Sequence, residues 1–206
     1  MALTQYEDLL PYIQPQVPAA PIAIILSTLR RVVSDFCLRS TAYRYRLTGI
    51  PAIANVPYYD LPTPSYTAPA GIVLATYQGA PLRPTSDVLA AQGFPSTSPH
   101  SFIFESGQVR IIGTPTVTIQ GAFEFLLYLR PTMAATGVNS AFIDEYYHEI
   151  ASGVLSELLL MSNQPWSNPQ LGSQFAIQYN LGVDNAKSRA NADHTAKVRT
   201  TRINWF

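Results

Sequence analysis

The chain has 206 residues, 47% of them hydrophobic and only 13% charged, and its 13 basic and 13 acidic side chains leave no net charge. That length suits one domain, or one domain with an insertion, and the balanced charge excludes the global electrostatic footprint of a nucleic-acid or anionic-membrane binder. The single cysteine, Cys37, excludes an internal disulfide. No apolar run approaches the roughly 20 residues of a bilayer span, no signal-peptide pattern is read, and the sparse charge implies partners that cover part of the surface.

The first stretch, TQYEDLLPYIQPQVPAAP, combines a short helix, with Thr4 as cap and Glu7 three residues on, with a proline-punctuated segment. Pro21 suits a first helical turn. Ile22, Ile25, Leu29, Val32, Val33, Phe36 and Ser40 then recur at three- and four-residue spacing, which predicts an amphipathic helix over 21–41. Arg30, Arg31, Ser34, Asp35 and Arg39 share its other face. Cys37 lies beside the apolar stripe and reads as a buried structural thiol, because no neighbouring His or Asn suggests activation.

Residues 47–131 hold 11 of the 17 prolines, most of the glycines, and short runs rich in β-branched and aromatic residues: GIVLATY, HSFIFES, QVRIIG, PTVTI and AFEFLLYLRP. With YQGAPL, ESGQ and IQGA as turns, the segment predicts an antiparallel β-module of four to six strands. One small helix, PTSDVLAAQG, interrupts it, capped by Thr85 or Ser86 and stopped by Gly93. In SFIFESGQVRII, Phe102 and Phe104 alternate with Ile103 and Glu105 as a half-buried hairpin arm that turns at Ser106 and Gly107. The change of period on both sides marks an insertion between helices, with a small core of its own.

Helix returns in NSAFIDEYYHEIASGVLSELLLM, capped by Asn139 or Ser140. Ile143, Tyr147, Ile150, Val154, Leu158 and Met161 form one stripe, with Glu145, Glu149, Ser152 and Ser156 nearly opposite. Gly153 costs about 1 kcal/mol in mid-helix, which points to close approach of another backbone. Asn168 and Pro169 start a further helix as cap and first-turn proline, carrying Leu171, Phe175, Tyr179, Val183 and Ala186. The closing TAKVRTTRINWF has no helical repeat and reads as an extended arm. From residue 184 onward Lys187, Arg189, Lys197, Arg199 and Arg202 stand against Asp184 and Asp193, so that end is +3 and the remainder −3.

Chemistry is sparse. Glu145 and His148 make one Glu-x-x-His step, but a dinuclear carboxylate centre needs a second step and two further inward glutamates. His100 falls in the β-module and His194 at the root of the arm, so neither supplies it, and Glu145 is expected on the solvated face. Zinc ligands, a Gly-x-Ser-x-Gly elbow and a phosphate-cradling loop are not found in the sequence. Asp60, Asp87 and Glu105 have no spacing that selects them as an acid/base pair. The reading is therefore a protein without catalytic, cofactor or metal residues. Trp166 reads as a core anchor between two helices. Trp205 and Phe206, beside Arg199 and Arg202, would expose an apolar patch unless another chain covers them, as a docking arm would arrange.

Several phrases carry a family resemblance: YEDLLPYIQPQVPAAP followed by ILSTLRRVVSDFCLRS, GAPLRPTSDVLAAQG in the β-module, LRPT followed by FIDEYYHEIASGVLSELLLMSNQPWSNPQLGSQF, and the closing NAKSRANADHTAKVRTTRINWF. In them the chain resembles, over nearly its whole length, the head-to-tail adaptor (connector) proteins of tailed bacteriophages, above all the short-tailed ones. The most specific piece is the link Pro165, Trp166, Ser167, Asn168, Pro169, supported by the run Ala186 to Arg189 and the basic tail.

The resemblance implies an α+β fold: an antiparallel helical bundle (1–46 and 132–193), an inserted antiparallel β-rich module (47–131) and an extended C-terminal docking arm (194–206). It implies Lys197, Arg199, Arg202, Trp205 and Phe206 as the portal-docking residues, and Pro165, Trp166, Asn168 and Pro169 as the inter-helix anchor. The partners it implies are further copies in a ring of twelve, the portal protein, a tail or nozzle protein, and double-stranded DNA passing through the channel. The location it implies is the virion neck, with assembly in the host cytoplasm, and it implies no enzymatic activity, cofactor or membrane. Which of Asp60, Asp87, Glu105 or Glu124 would line the channel stays open. Two other readings stand beside it: another neck part, such as a tail terminator or completion protein, and a carbohydrate- or receptor-binding module with Tyr58, Tyr59, Tyr66 and Tyr77 as a stacking platform.

Overall fold

Strand β1 (Leu3–Gln5) enters a 3-10 turn at Tyr6–Leu9 and the one-turn helix α1 (Leu10–Ile13) in the computed structural model, which describes residues 2–86 and 98–192. The cap of this turn is Gln5, not Thr4: Gln5 N donates to Asp8 Oδ2 at 3.0 Å. Thr4 is a ladder residue opposite Val138, because β1 pairs antiparallel with β10 (Gly137–Asn139). Helix α2 (Ile22–Ser40) buries the spaced set from Ile25 to Ser40 and adds Thr28 and Cys37, while Ile22 in its first turn stays exposed. It ends at Thr41, whose φ of 53° closes a left-handed cap by donating its N–H to Cys37 O.

Helix α3 (Ser140–Leu159) is capped by Asn139, whose side chain accepts from the Ala141 and Phe142 amides. Its buried face is broader than one stripe. Tyr146, not Tyr147, packs on Phe36 at 5.2 Å between ring centroids, and Ser156, expected on the solvated side, is buried with its hydroxyl donating to Gly153 O at 2.7 Å. The physical reason is that α3 lies against both α2 and α4 (Pro169–Asn191), so two apolar seams are needed where one was read. Tyr147 turns instead toward Tyr12 of α1, at 5.3 Å. Gly153 marks the place where the three long helices meet, and the close approach is by side chains rather than backbone: a Cβ there would stand 2.6 Å from Val32 Cγ1 and 2.7 Å from Tyr179 Cδ2.

Between α2 and α3 run the remaining strands, β2 (Arg44–Ala52), β3 (Tyr58–Asp60), β4 (Thr67–Tyr77), β5 (Ala80–Pro81), β6 (Arg83–Pro84), β7 (Ser101–Glu105), β8 (Gln108–Ile112) and β9 (Ile119–Pro131). They form two four-stranded sheets, ordered β2-β9-β4-β5 and β3-β8-β7-β6, antiparallel except for the β6–β7 pair. These eight strands exceed the expected four to six because β3, β5 and β6 are only two or three residues long, too short to show a period. The two sheets share one apolar core. In β9 it takes alternate residues, Phe123, Phe125, Leu127 and Leu129, as the pleat requires.

The SG and QG turns form as read. Ser106–Gly107 and Gln78–Gly79 both have positive φ and connect β7 to β8 and β4 to β5 by two-residue loops. IQGA is not a turn: Gly121, with φ of 63°, lies inside β9 opposite a register shift in β2, so it is a bulge that lets the long strand bend. PTVTI contributes only its final residue to a strand. In the hairpin arm Ile103 is buried like Phe102, so both faces of β7 are covered. The expected helix over 84–93 begins in β6, Thr85 continues that pairing through its amide to Phe102 O, and residues 87–93 lie outside the described residues.

Candidate functional site

The arm residues Lys197, Arg199, Arg202, Trp205 and Phe206 lie outside the described residues. What precedes them is defined through Ala192. Near the end of α4, Asn191 Oδ1 accepts from Arg44 Nη2 at 3.4 Å, so the chain leaves the helices beside the first residue of β2.

The inter-helix link is built by local chemistry. Asn168 N donates to Leu159 O at 2.9 Å, and its side chain accepts from Leu171 N at 3.2 Å, while Pro169 occupies the first helical position, where no amide donor is needed. Pro165, Asn168 and Pro169 are exposed, whereas Trp166 is half-buried against the helical core. Its ring nitrogen is enclosed without an acceptor among the described residues. Gly172 allows α4 to start tight against Leu159 and Leu160, which turns α4 back along α3.

Two polar latches, neither visible in the sequence, tie the helices together. Tyr179 of α4 donates its hydroxyl to Asp35 of α2 at 2.8 Å, and Arg39 bonds both Asp35, at 3.3 Å, and Asn180, at 2.6 Å, while its guanidinium lies 5.5 Å above the Tyr179 ring. Arg31 pairs with Glu157 of α3. Burial, followed by the Asp35 contact, pushes the Tyr179 hydroxyl far up; burial does the same to Tyr6 and Tyr146. Cys37 is fully enclosed, as expected of a structural thiol, and burial alone raises it, which keeps it from forming a reactive thiolate.

Glu145 and His148 are both exposed on α3, and the His148 ring lies 3.8 Å from that of Tyr147. Among the described residues no group of three or more His, Cys, Asp or Glu is arranged to hold a metal ion. Asp60 and Glu105 sit on either side of Gln108 in register across β3, β8 and β7, and Gln108 Nε2 donates to Asp60 at 2.7 Å, so the two carboxylates do not face one another as a pair. Glu124 is exposed on β9, and Asp87 lies outside the described residues. The four tyrosines do not form one platform. Tyr59 is buried with its hydroxyl accepting from Ile53 N, Tyr77 packs on Phe123, and Tyr58 is exposed beneath Arg110.

Surface apolar residues are conspicuous instead. On the outer face of α4, Ile177 and Leu181 are 63% and 59% exposed one turn apart, and Leu160 at the end of α3 is also exposed. Among the described residues no helix is long and apolar enough to cross a membrane. The chain matches no family model and no curated protein sequence.

Proposed function

We propose that this protein is a structural head-to-tail adaptor of a phage virion: twelve copies of it form a ring that docks on the portal, extends the DNA channel and offers an attachment surface to the tail. The observation that carries the reading is the outer face of α4. A helix whose inner side is fully committed to α2 and α3 presents Ile177 and Leu181 to solvent, on a chain with only 13% charged residues. A monomer does not gain from such a row, whereas a ring covers it on every subunit at once.

The helical part is read as the bundle of the adaptor, the two-sheet part as its insertion, and residues 194–206 as the arm that reaches the portal. Twelve tethered arms raise the effective concentration of each contact, so modest single-arm affinity gives a durable joint. Mass photometry of the subunit, alone and with purified portal rings, tests this. Portal rings should recruit twelve copies, and Leu181→Asp should prevent recruitment of a full ring while leaving the helical circular dichroism unchanged. A subunit that stays monomeric beside portal rings contradicts the proposal.

A further inference from the structure

A cavity of about 520 Å³ lies where the ribbon of β1 and β10 meets the starts of β2 and β4. Leu3, Tyr43, Tyr45 and Pro64 supply apolar walls, and none of the lining residues carries a charge. Gly137 adds main-chain polarity. Ladder bonds run from Tyr6 N to Thr136 O and from Ser140 N to Ala2 O, so the antiparallel alternation turns the Gly137 amide and carbonyl away from β1. Between Ser65 and Thr67, both in the cavity wall, Tyr66 is 54% exposed and held at φ of 62°, a left-handed conformation that disfavours a bulky side chain. Strain of this kind gathers at ligand clamps.

The chain that follows α4 starts beside this cavity. Asn191, the last residue of α4, accepts from Arg44 Nη2 at 3.4 Å, and Arg44 is the first residue of β2, flanked in sequence by Tyr43 and Tyr45 of the cavity wall. Arg44 and the two tyrosines point to opposite faces of the strand. β2 is the edge strand of its sheet, so the way round from one face to the other is open. Thirteen residues from Ala192 to Trp205 span up to about 40 Å when extended, several times the roughly 5 Å between neighbouring strands.

We infer that Trp205, carried by residues 193–206 of the same chain, occupies this cavity in the free subunit, its ring against the tyrosine wall and its N–H donating to the Gly137 carbonyl. An indole joins a broad apolar ring to one donor, which is what an uncharged aromatic wall with a turned-out carbonyl accommodates. Charge selects the place. The segment carries Lys197, Arg199 and Arg202 against Asp193, whereas the cavities of about 550 Å³ and about 610 Å³ along α2 hold Arg30 and Arg31, or Arg130, and repel it. A short tether supplies a millimolar effective concentration, so a contact of about millimolar affinity is occupied in roughly half of the molecules and hardly moves the melting curve. In the adaptor reading, docking on the portal then draws Trp205 out of its own subunit. The inference itself needs only the cavity and the tether.

The test is disulfide trapping in the full chain carrying Ser65→Cys and Phe206→Cys, with the linked peptides identified by mass spectrometry; the native Cys37 is buried and takes no part. In dilute solution under mild oxidation, the link should form within one chain at a rate independent of protein concentration. That rate should exceed, by about tenfold or more, the rate of the same pair with Trp205→Ala. Leu3→Lys, at a position 48% exposed, puts a cation in the cavity wall and should slow the link to a similar extent, with circular dichroism checking that the helices are unchanged. The inference is overturned if Trp205→Ala or Leu3→Lys leaves the rate unchanged. It is overturned as well if links form only between chains, at a rate that rises with concentration, which makes the segment an exchange arm between copies.

Discussion

Replacing Gly153 by alanine adds one methyl group at the point where the three long helices meet. Helix propensity alone favours the change by about 1 kcal/mol. Packing opposes it: the new Cβ would lie 2.6 Å from Val32 Cγ1 and 2.7 and 2.8 Å from Tyr179 Cδ2 and Cε2, closer than carbon atoms approach. Neither neighbour has an easy retreat. Val32 is buried and β-branched, and Tyr179 is held by its hydroxyl on Asp35, a contact whose loss costs about 1 kcal/mol. Overpacking of this kind costs about 1–3 kcal/mol, and the displaced hydroxyl adds to it, so the net expectation is a destabilisation of about 1–3 kcal/mol. With a urea slope of about 2 kcal/mol/M, the unfolding midpoint should fall by roughly 0.5–1.5 M. Adding Val32→Ala should recover part of the loss, because the two sites share one space. A midpoint equal to or above that of the parent protein would show that the helices are not in contact at Gly153 and that the three-helix packing is mistaken.

Leu158→Ala, at a fully enclosed position of α3, should cost about 2–5 kcal/mol in the same urea assay. Asn168→Ala removes the side-chain acceptor at the start of α4 and should cost about 1 kcal/mol, read as a lowered melting temperature. Stability should also fall in alkali. Tyr6, Tyr146 and Tyr179 keep their protons in the folded state beyond the ordinary tyrosine value, so the folded chain holds more protons than the unfolded one once the pH passes about 10, and Cys37 begins the trend near 9. Their contribution is complete below those values and is lost as pH rises, by at most about 1.4 kcal/mol per pH unit for each group. Tyr179→Phe should make that alkaline slope shallower, measured by urea unfolding at pH 8 to 11.

The helices were legible because their signals are local. Pro21 and the spaced run from Ile25 to Ser40 predict α2 to within a residue at each end, and Asn168 with Pro169 predicts the start of α4. What tertiary contact decides was not legible. From Ile143 to Ile150 a stripe can step through residue 146 or 147 with equal helical geometry, and two adjacent tyrosines give no local preference; the position of Phe36 decides for Tyr146. Gly121 looks like a turn glycine because a bulge and a turn ask for the same positive φ, and only the pairing with β2 distinguishes them. The latches of Arg31 with Glu157 and of Tyr179 with Asp35 join residues more than a hundred positions apart, so no spacing announces them.

The most direct test of the adaptor proposal is co-sedimentation of the chain, and of a deletion lacking residues 194–206, with purified portal rings. On that proposal, twelve tethered copies of residues 194–206 raise the effective concentration of each contact, so the ring rather than any single arm should hold the joint. The account predicts that the full chain pellets with the portal and that the deletion stays in the supernatant, with helical circular dichroism and melting curve almost unchanged. A deletion that pellets with the affinity of the full chain would contradict it and place the contact on the helices instead.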